Sequence, residues 1–236
     1  FNKLKTLKKL KGDSAIGHVR YSTAGGSTKE NIQPLFANLA DGGFACAHNG
    51  NLINANHLRE KLTKTGSIFQ TTSDTETILQ LVARSKEISI EKKIIDAIGK
   101  IKGAFSLVIL TKDKMYGIKD PFGIRPLVIG KIDNSFILAS ETCALDMIGA
   151  KYVRDVENGE IVEISIHGIR SIKAFAKINE RPCIFERIYF SRPDSLIKGK
   201  TVYSYRKQLG IQLANENKLN ADVVIPIMDS GTPAAL

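Results

Sequence analysis

The sequence of 236 residues has few cysteines and no long apolar run. Cys46, Cys143 and Cys183 are far apart, and none belongs to a Cys-x-x-Cys pair. A small odd number of scattered cysteines favours reduced thiols over a disulfide framework. No apolar run approaches the roughly 18–20 residues of a membrane-spanning helix, and the Lys-rich first residues lack the apolar centre of a signal peptide. These absences predict a folded, cytoplasmic protein.

Signals for metal or nucleic-acid binding are also lacking. The four histidines show no metal-ligand spacing. The net charge of +10 and the pI of about 9.5 raise the possibility of nucleic-acid binding. However, the excess is mostly Lys spread along the chain, without a helix-turn-helix or RNA-recognition signature. We interpret it as a solvated basic surface, which would also suit anionic small substrates.

The composition is that of a globular protein, with 43% hydrophobic and 25% charged residues. The length allows one large domain or about one and a half ordinary ones. Because the chain starts at Phe1 and stops at Leu236 within an apolar run, we expect it to be a piece of a longer protein.

The first three-quarters of the chain is predicted to alternate strands and helices without a regular βαβ rhythm. Apolar stretches at 14–19 and 44–48 read as strands, the second followed by an Asn49–Gly50 dipeptide that is typical of a tight hairpin turn. A helix is predicted from the N-cap Asn54 to a stop at Gly66.

Two further helices are predicted before the pattern changes. Ser73 and Glu76 have the spacing of a capping box ahead of a helix whose apolar face is Ile78, Leu81 and Val82. The next helix is predicted within 91–101, and its apolar positions are Ile94, Ile98 and Ile101.

From residue 103 onward, short apolar runs with period two predict strands joined by hairpin-length turns, interrupted by a short helix at 141–149. Two X-Pro breaks then flank a predicted short strand in 182–193. Last come an amphipathic helix at 202–219, a continuous apolar strand at 221–228 and a polar loop, which is how a parallel α/β domain begins. Helices followed by antiparallel strands indicate an α+β layered domain.

Several polar residues follow the first two predicted strands. The Arg20 guanidinium could hold a carboxylate with two parallel bonds, and the Thr23 hydroxyl could add a third. Arg20 could equally form a surface ion pair. Asn49 and Gly50 could supply two donors to one oxygen, which is an oxyanion hole, although a plain turn is the commoner role of this dipeptide. Asp74, in the first turn of a helix, is favoured there by the helix dipole or could bind an ammonium group.

Taken together, a carboxylate-binding arginine, an aspartate that binds an ammonium group and an oxyanion hole describe a site for an α-amino acid with a reactive carbonyl at its far end. Glutamine fits that description. His48 is most simply a histidine at the end of a strand, because no Ser and Asp partners stand at motif spacing. No motif places a nucleophile.

The sequence resembles glutamine amidophosphoribosyltransferases from about residue 12 to its end. The similarity is carried by the stretches IGHVRYSTAGG, AHNGNL, GSIFQTTSDTE, KGAFSLVIL, DPFGIRPLVIG, SETCALDMIGA and ERIYFSRPDS. HNGN and SDTE would fit any class II glutamine amidotransferase, whereas the later stretches narrow the choice to this family.

The resemblance implies an α+β fold, an N-terminal-nucleophile hydrolase with a four-layer αββα sandwich, incomplete here. The start of an α/β type I phosphoribosyltransferase domain follows. We expect the glutamine amidotransferase domain to span 1–178, and a linker with the truncated second domain to span 179–236.

The resemblance also implies the roles of the site residues. Arg20 and Thr23 correspond to the grip on the α-carboxylate of glutamine, Asp74 to the binder of its α-ammonium, and Asn49 with Gly50 to the oxyanion hole. The family's nucleophile is a cysteine at the mature N-terminus, ahead of Phe1, so none of the three internal cysteines is assigned that role. The chain of residues 1–236 alone is therefore expected to lack glutaminase activity.

The full-length reaction implied is glutamine plus phosphoribosyl pyrophosphate plus water to 5-phosphoribosylamine, glutamate and pyrophosphate, the first step of purine synthesis. Mg²⁺ is the implied cofactor, at a site past Leu236. Cys183 corresponds to one ligand of an iron–sulfur cluster, [4Fe–4S], that some members carry, or else it is a buried thiol. Partners are glutamine and phosphoribosyl pyrophosphate, with no nucleic acid or membrane, in a homo-oligomer. The alternatives are another class II glutamine amidotransferase and a non-catalytic ligand-binding paralogue.

Overall fold

The computed structural model describes residues 9, 11–21, 26, 28–176 and 178–236. The chain divides into two compact units. The first combines Phe1–Ile118 with Glu160–Ala174, and the second combines Lys119–Gly159 with Phe175–Leu236. Among the described residues, no helix has the length and apolar character needed to cross a membrane. The predicted domain boundary after residue 178 stays a prediction.

The strands of the two units form separate sheets. In chain order they are β1 (Leu35–Leu39), β2 (Gly42–Leu52), β3 (Gly103–Leu110), β4 (Met115–Lys119), β5 (Val128–Ile132), β6 (Ser135–Ala139), β7 (Lys151–Asp155), β8 (Glu160–Ser165), β9 (Gly168–Lys173), β10 (Leu196–Ile197) and β11 (Lys200–Thr201). The first unit has a six-stranded sheet in the order β1-β2-β3-β4-β8-β9. The second has a three-stranded sheet, β6-β5-β7, and the short pair β10-β11.

The helices are α1 (Ala55–Lys64), α2 (Thr75–Ala83), α3 (Ile90–Ile98), α4 (Thr142–Met147), α5 (Val202–Glu216) and α6 (Thr232–Ala235), with a short 3-10 helix at Lys29–Asn31 and a π-helix at Glu186–Phe190. In the first unit, α2 packs against α1, α3, β1 and β2. The apolar faces that periodicity predicted for α2 and α3 are buried, which confirms them. Apolar side chains from the first-unit sheet, including Phe44, Phe105 and Tyr116, complete this core.

Most of the later elements also confirm their predictions. Strands β3 to β6, β8 and β9 and helices α4 and α5 form where the patterns place them. The short strands β1 and β7 were missed. Both are only five residues long, and each exists through pairing with a neighbouring strand, β2 or β5.

Two predictions around the candidate site are wrong. Residues 14–19 form no strand within the described part of the chain, although side-chain exposure alternates from Ile16 to Arg20. Alternation shows which side chains face inward, but a strand also needs a hydrogen-bonded neighbour, which local sequence cannot reveal. Asn49–Gly50 is not a hairpin turn, because both residues lie inside β2 and pair in register with Ser106 and Phe105 of β3.

The capping box before α2 is also wrong. The N-cap is Asp74, and the Ser73 hydroxyl accepts from Thr75 N at 3.3 Å instead of capping Glu76. The Glu76 carboxylate reaches farther back and accepts from Gln70 N at 2.8 Å. A buried carboxylate that can satisfy several loop donors does so in preference to the single bond of a capping box.

Two predicted strands of the second unit are not observed. The segment between the prolines contains the π-helix, in which the Ser191 hydroxyl donates to the carboxylate of Glu186 at 3.1 Å. Residues 221–228 pair with no strand among the described residues, and Val223, Val224 and Ile225 are largely exposed. A short apolar run is consistent with a strand, but pairing decides whether one forms.

Candidate active site

The centre of the candidate site is Asp74, at the N-terminus of α2. Its side chain is buried, with 7% of the residue exposed. One carboxylate oxygen accepts a hydrogen bond from the backbone N–H of Leu52 at 2.9 Å, and the other lies 3.7 Å from Nδ1 of His48. The end of β2 and the start of α2, more than twenty residues apart in sequence, therefore meet at this carboxylate.

The Asp74 carboxylate is ionised at neutral pH. Burial by itself raises its pKa, but the nearby His48 ring, with backbone N–H donors from Leu52 and Thr75, outweighs burial and holds the pKa below its ordinary value of 3.8. The site thus contains a buried anion that is already desolvated and fixed in orientation, which is what a ligand ammonium group requires.

This lowered pKa predicts a pH dependence of stability. A carboxylate with a depressed pKa stabilises the folded state at pH values above its unfolded pKa, and that contribution is lost as the pH falls through the folded pKa. Asp74→Asn in the full-length protein should therefore lower the melting temperature near pH 7 by about 3–10 °C, from about 1.5–3 kcal/mol for a hydrogen-bonded charged group. The difference should shrink below pH 3.8.

Thermal unfolding between pH 7 and 3 checks this expectation. Asp113→Asn, which alters an exposed aspartate of the β3–β4 connection, is the matched control and should stay close to wild type. An Asp74→Asn deficit that stays constant across the pH range would contradict the assignment of a lowered pKa.

His48 joins Asp74 to the predicted oxyanion pair. Its ring is buried, with Nδ1 3.3 Å from the Thr75 hydroxyl and Nε2 3.3 Å from the carbonyl oxygen of Ala104. Asn49 and Gly50 follow directly in β2 and are half-buried. Treating His48 as a plain strand-end histidine missed this position between α2 and β3.

Gly50 is the one position in β2 where the site requires glycine. Its φ is +155°, and a Cβ atom there would lie 2.0 Å from the carbonyl oxygen of Ala104 and 2.7 Å from Nε2 of His48. Because neither the strand backbone nor a buried ring can move aside cheaply, no larger residue fits. The closeness of β3 at this point fixes the backbone of Asn49 and Gly50.

Arg20 and His18 lie two residues apart on one segment, and both side chains are half-buried. The His18 ring is half-buried, and burial, together with the charges of His48 and Arg20, lowers its pKa. Both groups are therefore within electrostatic reach of His18. Arg20 is half-buried and Val19 beside it is 98% exposed, so the inward-facing positions of this segment include the predicted carboxylate-binding residue.

The loop before Asp74 is held by polar contacts from several sides. Glu76 accepts hydrogen bonds from the N–H groups of Gln70 and Thr71 at 2.8 and 2.7 Å. Arg59 donates to the carbonyl oxygen of Ser73 at 3.0 Å, and its guanidinium stacks 4.0 Å from the ring centroid of Phe69. These bonds fix the approach to α2, and none of them was anticipated from the sequence.

The structure thus brings Asp74 together with the strand carrying Asn49 and Gly50, while Arg20 lies on the segment of His18, whose pKa is lowered in part by the charge of His48. Thr23 lies outside the described residues. Asn31 and Gln33, two buried side chains that hold this region, were missed, although two carboxamides ahead of a Pro and a strand are an unusual pattern.

The cysteines have different environments. Cys46 is fully buried in β2, and burial with the nearby charge of Asp74 raises its pKa to about 12. Burial also raises the pKa of Cys143. Neither is suited to act as a thiolate at neutral pH. Cys183 belongs to the second unit.

The described residues contain no group of three or more His, Cys, Asp or Glu side chains placed to hold a metal ion. Cys183 by itself does not provide a cluster site, nor is there a carboxylate set for Mg²⁺ in this part of the chain. We therefore derive no step through either group.

The buried Asp74 carboxylate is thus bonded to the end of the strand that carries Asn49 and Gly50, which is the part of the candidate site that the contacts define. Residues 18–147 match the glutamine amidotransferase domain family. The match covers more than half of the chain, and the chain belongs to this family.

The relatives specify the family further. Amidophosphoribosyltransferase of Rhizobium etli is 50% identical over 236 residues, 98% of this chain and 48% of the relative. A chloroplastic amidophosphoribosyltransferase of Arabidopsis thaliana is 48% identical over 237 residues, all of this chain and 42% of the relative. The chain thus spans a little under half the length of these two relatives.

A solved structure confirms the fold. Glutamine phosphoribosylpyrophosphate amidotransferase from Bacillus subtilis, complexed with ADP and GMP, is 46% identical, with a TM-score of 0.92 over 97% of this chain and 50% of that chain. The predicted fold class, the N-terminal-nucleophile hydrolase fold of class II glutamine amidotransferases, is confirmed.

Proposed function

We propose that this chain is the glutamine-using part of an amidophosphoribosyltransferase. The full-length enzyme converts glutamine, phosphoribosyl pyrophosphate and water to 5-phosphoribosylamine, glutamate and pyrophosphate, the first step of purine synthesis. The observation that carries the proposal is the buried, ionised Asp74 bonded to the end of the strand that bears Asn49 and Gly50. Relatives with this activity in their names support it.

Glutamine is bound through both ends of its amino-acid group. Asp74 pairs with the α-ammonium, and its desolvated position makes that charge pair strong. Arg20 holds the α-carboxylate with a planar fork, assisted by the Thr23 hydroxyl. These contacts leave the side-chain amide directed at Asn49 and Gly50.

Asn49 and Gly50 stabilise the oxyanion that forms when a thiolate attacks the amide carbon. The amide nitrogen then takes up a proton, the carbon–nitrogen bond breaks and ammonia leaves, and water hydrolyses the γ-glutamyl thioester to glutamate and free thiol. The nucleophile implied by the family is the N-terminal cysteine, whose own α-amine assists its deprotonation. The burial and raised pKa of Cys46 support leaving it out of this role.

Ammonia displaces pyrophosphate from C1 of phosphoribosyl pyrophosphate in the phosphoribosyltransferase half. Mg²⁺, when bound in that half, would neutralise charge on the pyrophosphate, and a [4Fe–4S] cluster with Cys183 as one ligand belongs to the same family-based proposal. We place the enzyme in the cytoplasm as a homo-oligomer. Because plant relatives are named chloroplastic, an organelle is the alternative location.

Arg20→Lys in the full-length enzyme tests the glutamine site. A point charge cannot reproduce two parallel bonds to a carboxylate, and the loss of about 1.5–3 kcal/mol should raise KM for glutamine roughly 10- to 100-fold. Synthesis from added ammonium salt should be unchanged, because ammonia bypasses glutamine binding. Steady-state assays of 5-phosphoribosylamine with each nitrogen donor measure both quantities.

The control is Arg84→Lys, which alters an exposed arginine with a single 3.5 Å contact to Ser67. Its KM for glutamine should stay at the wild-type value. If Arg20→Lys leaves KM for glutamine unchanged, the carboxylate-binding role of Arg20 is wrong.

Two other functions remain as outcomes of the same assays. Another class II amidotransferase would release ammonia from glutamine in the full-length protein without using phosphoribosyl pyrophosphate. A non-catalytic paralogue would bind glutamine, measured by calorimetry, without releasing glutamate.

A further inference from the structure

We infer that Asn31 and Gln33 are positioning residues of the glutamine site: two buried carboxamides that hold together the segments carrying Arg20, Asp74 and the Asn49–Gly50 pair. This inference rests on the proposed function of that site. Asn31 is fully buried and Gln33 is 9% exposed, and they stand two residues apart just before β1.

Asn31 joins two of the three segments. Its side-chain amide donates to the carbonyl oxygen of Gly26 and to the hydroxyl of Thr72, both at 2.8 Å. Its side-chain oxygen accepts from the backbone N–H of Thr72 at 3.0 Å. Gly26 lies six residues after Arg20, and Thr72 lies two residues before Asp74.

This set of bonds suits a carboxamide and no other side chain of that size. Both N–H donors and the oxygen of Asn31 are used, two of them on the same residue, Thr72. An aspartate would offer no donor and would place a negative charge against the Gly26 carbonyl oxygen. A hydrophobic replacement would remove all three bonds, including the acceptor of the Thr72 N–H.

Gln33 fixes the third segment. Its side-chain oxygen accepts from the backbone N–H of His48 at 2.7 Å, within the protein interior. On this side of β2, the ladder with β1 ends at the pair Leu35–Cys46. His48 is two residues beyond Cys46, so its N–H points the same way, past the end of β1. The Gln33 side chain therefore continues the ladder where the strand has ended, directly before Asn49.

Asn31 and Gln33 therefore fix the positions of the substrate-binding segments relative to one another. The three segments are far apart in sequence, and one short stretch bonds to all of them. Displacing a reacting group by about 1 Å can cost about 100-fold in rate. Loss of either carboxamide should thus impair glutamine use more than overall folding or the ammonia-dependent half of the reaction.

The first test is Asn31→Asp in the full-length enzyme. We expect KM for glutamine to rise about 10-fold or more, because the donors to Gly26 and Thr72 are lost, while ammonia-dependent synthesis stays within about twofold of wild type. Asn54→Asp is the matched control: the Asn54 side chain also donates to a backbone carbonyl, of Lys100 at 3.0 Å, and accepts from a backbone N–H, of Lys102 at 2.8 Å. It should leave KM for glutamine unchanged.

The second test uses Gln33. Gln33→Met removes the acceptor for the His48 N–H and should lower glutamine-dependent kcat/KM about 10-fold or more. Gln33→Glu keeps an acceptor oxygen and should recover most of that loss, a rescue that simple filling of space would not produce. Thr72→Val is a milder variant, because it removes only one hydroxyl acceptor, and it replaces Asn31→Asp if that protein does not fold. It should raise KM for glutamine a few-fold.

The possible outcomes distinguish failure of the positioning role from failure of the proposed function. Parallel loss of glutamine- and ammonia-dependent synthesis with a lower melting temperature means that the carboxamides only support the fold, and overturns the inference. An unchanged KM in Asn31→Asp and Thr72→Val also overturns it. A wild-type enzyme that makes 5-phosphoribosylamine from neither donor refutes the proposed function instead.

Discussion

Replacing Asn49 by Ala in the full-length enzyme is expected to lower glutamine-dependent synthesis by about 100- to 1000-fold. The side-chain amide of Asn49 is one of the two donors to the oxyanion, and its contribution is greatest in the transition state. The effect should therefore fall on kcat more than on KM for glutamine. Ammonia-dependent synthesis should persist near the wild-type rate, since it forms no tetrahedral intermediate at glutamine.

Asn51→Ala provides the comparison for this result. Asn51 lies two residues farther along β2 and is exposed, so it shares the strand without contacting the proposed oxyanion. Its variant should keep both activities. An Asn49→Ala enzyme that loses glutamine- and ammonia-dependent synthesis equally would exclude an oxyanion-hole role for Asn49.

Gly50→Ala is expected to abolish glutamine use for a different reason. The added Cβ would lie 2.0 Å from the Ala104 carbonyl oxygen, so β2 must separate from β3 at the donor pair. A displacement of about 1 Å costs about 100-fold in rate. The overpacking should also lower stability by about 1–3 kcal/mol, seen as a melting temperature several degrees lower.

Glutaminase rates and thermal unfolding of the full-length protein measure the two effects. Gly12→Ala is the control, because the nearest atom to its Cβ would be 3.8 Å away, an ordinary contact. A Gly50→Ala protein with wild-type glutaminase activity would show that the close approach of β3 does not fix the donor pair. Asn49→Ala removes a hydrogen-bond donor, whereas Gly50→Ala displaces the backbone that positions it. Only Gly50→Ala should lower the melting temperature strongly, so the two effects can be distinguished.

The patterns that predicted secondary structure correctly were those whose information is local. Ile94 and Ile98 repeat at helical spacing because one face of α3 must be buried, and they are. The alternation in β3 and β8 similarly reflects which side chains face the core. The wrong strand predictions at 14–19 and 221–228 concern segments whose state depends on a neighbouring strand that their own residues do not specify.

The candidate site shows the same division. The chemical types of Arg20, Asn49 and Asp74 were sufficient to suggest a ligand with a carboxylate, a carbonyl and an ammonium group. Their environments were not predictable: the turn interpretation of Asn49–Gly50 was wrong because β3 pairs with β2 through both residues. The lowered pKa of Asp74 likewise depends on His48 and Leu52, which come from another element.

The sequence alone determined the kinds of groups available and the family to which they belong, because a family is recognised from residue types at fixed spacing. Only the tertiary structure decided how those groups are held: Asp74 by the end of β2, Gly50 by the carbonyl of Ala104, and three site segments by Asn31 and Gln33. The physical reason is that burial and hydrogen-bond partners arise from contacts between residues distant in the chain, and those contacts set both geometry and charge.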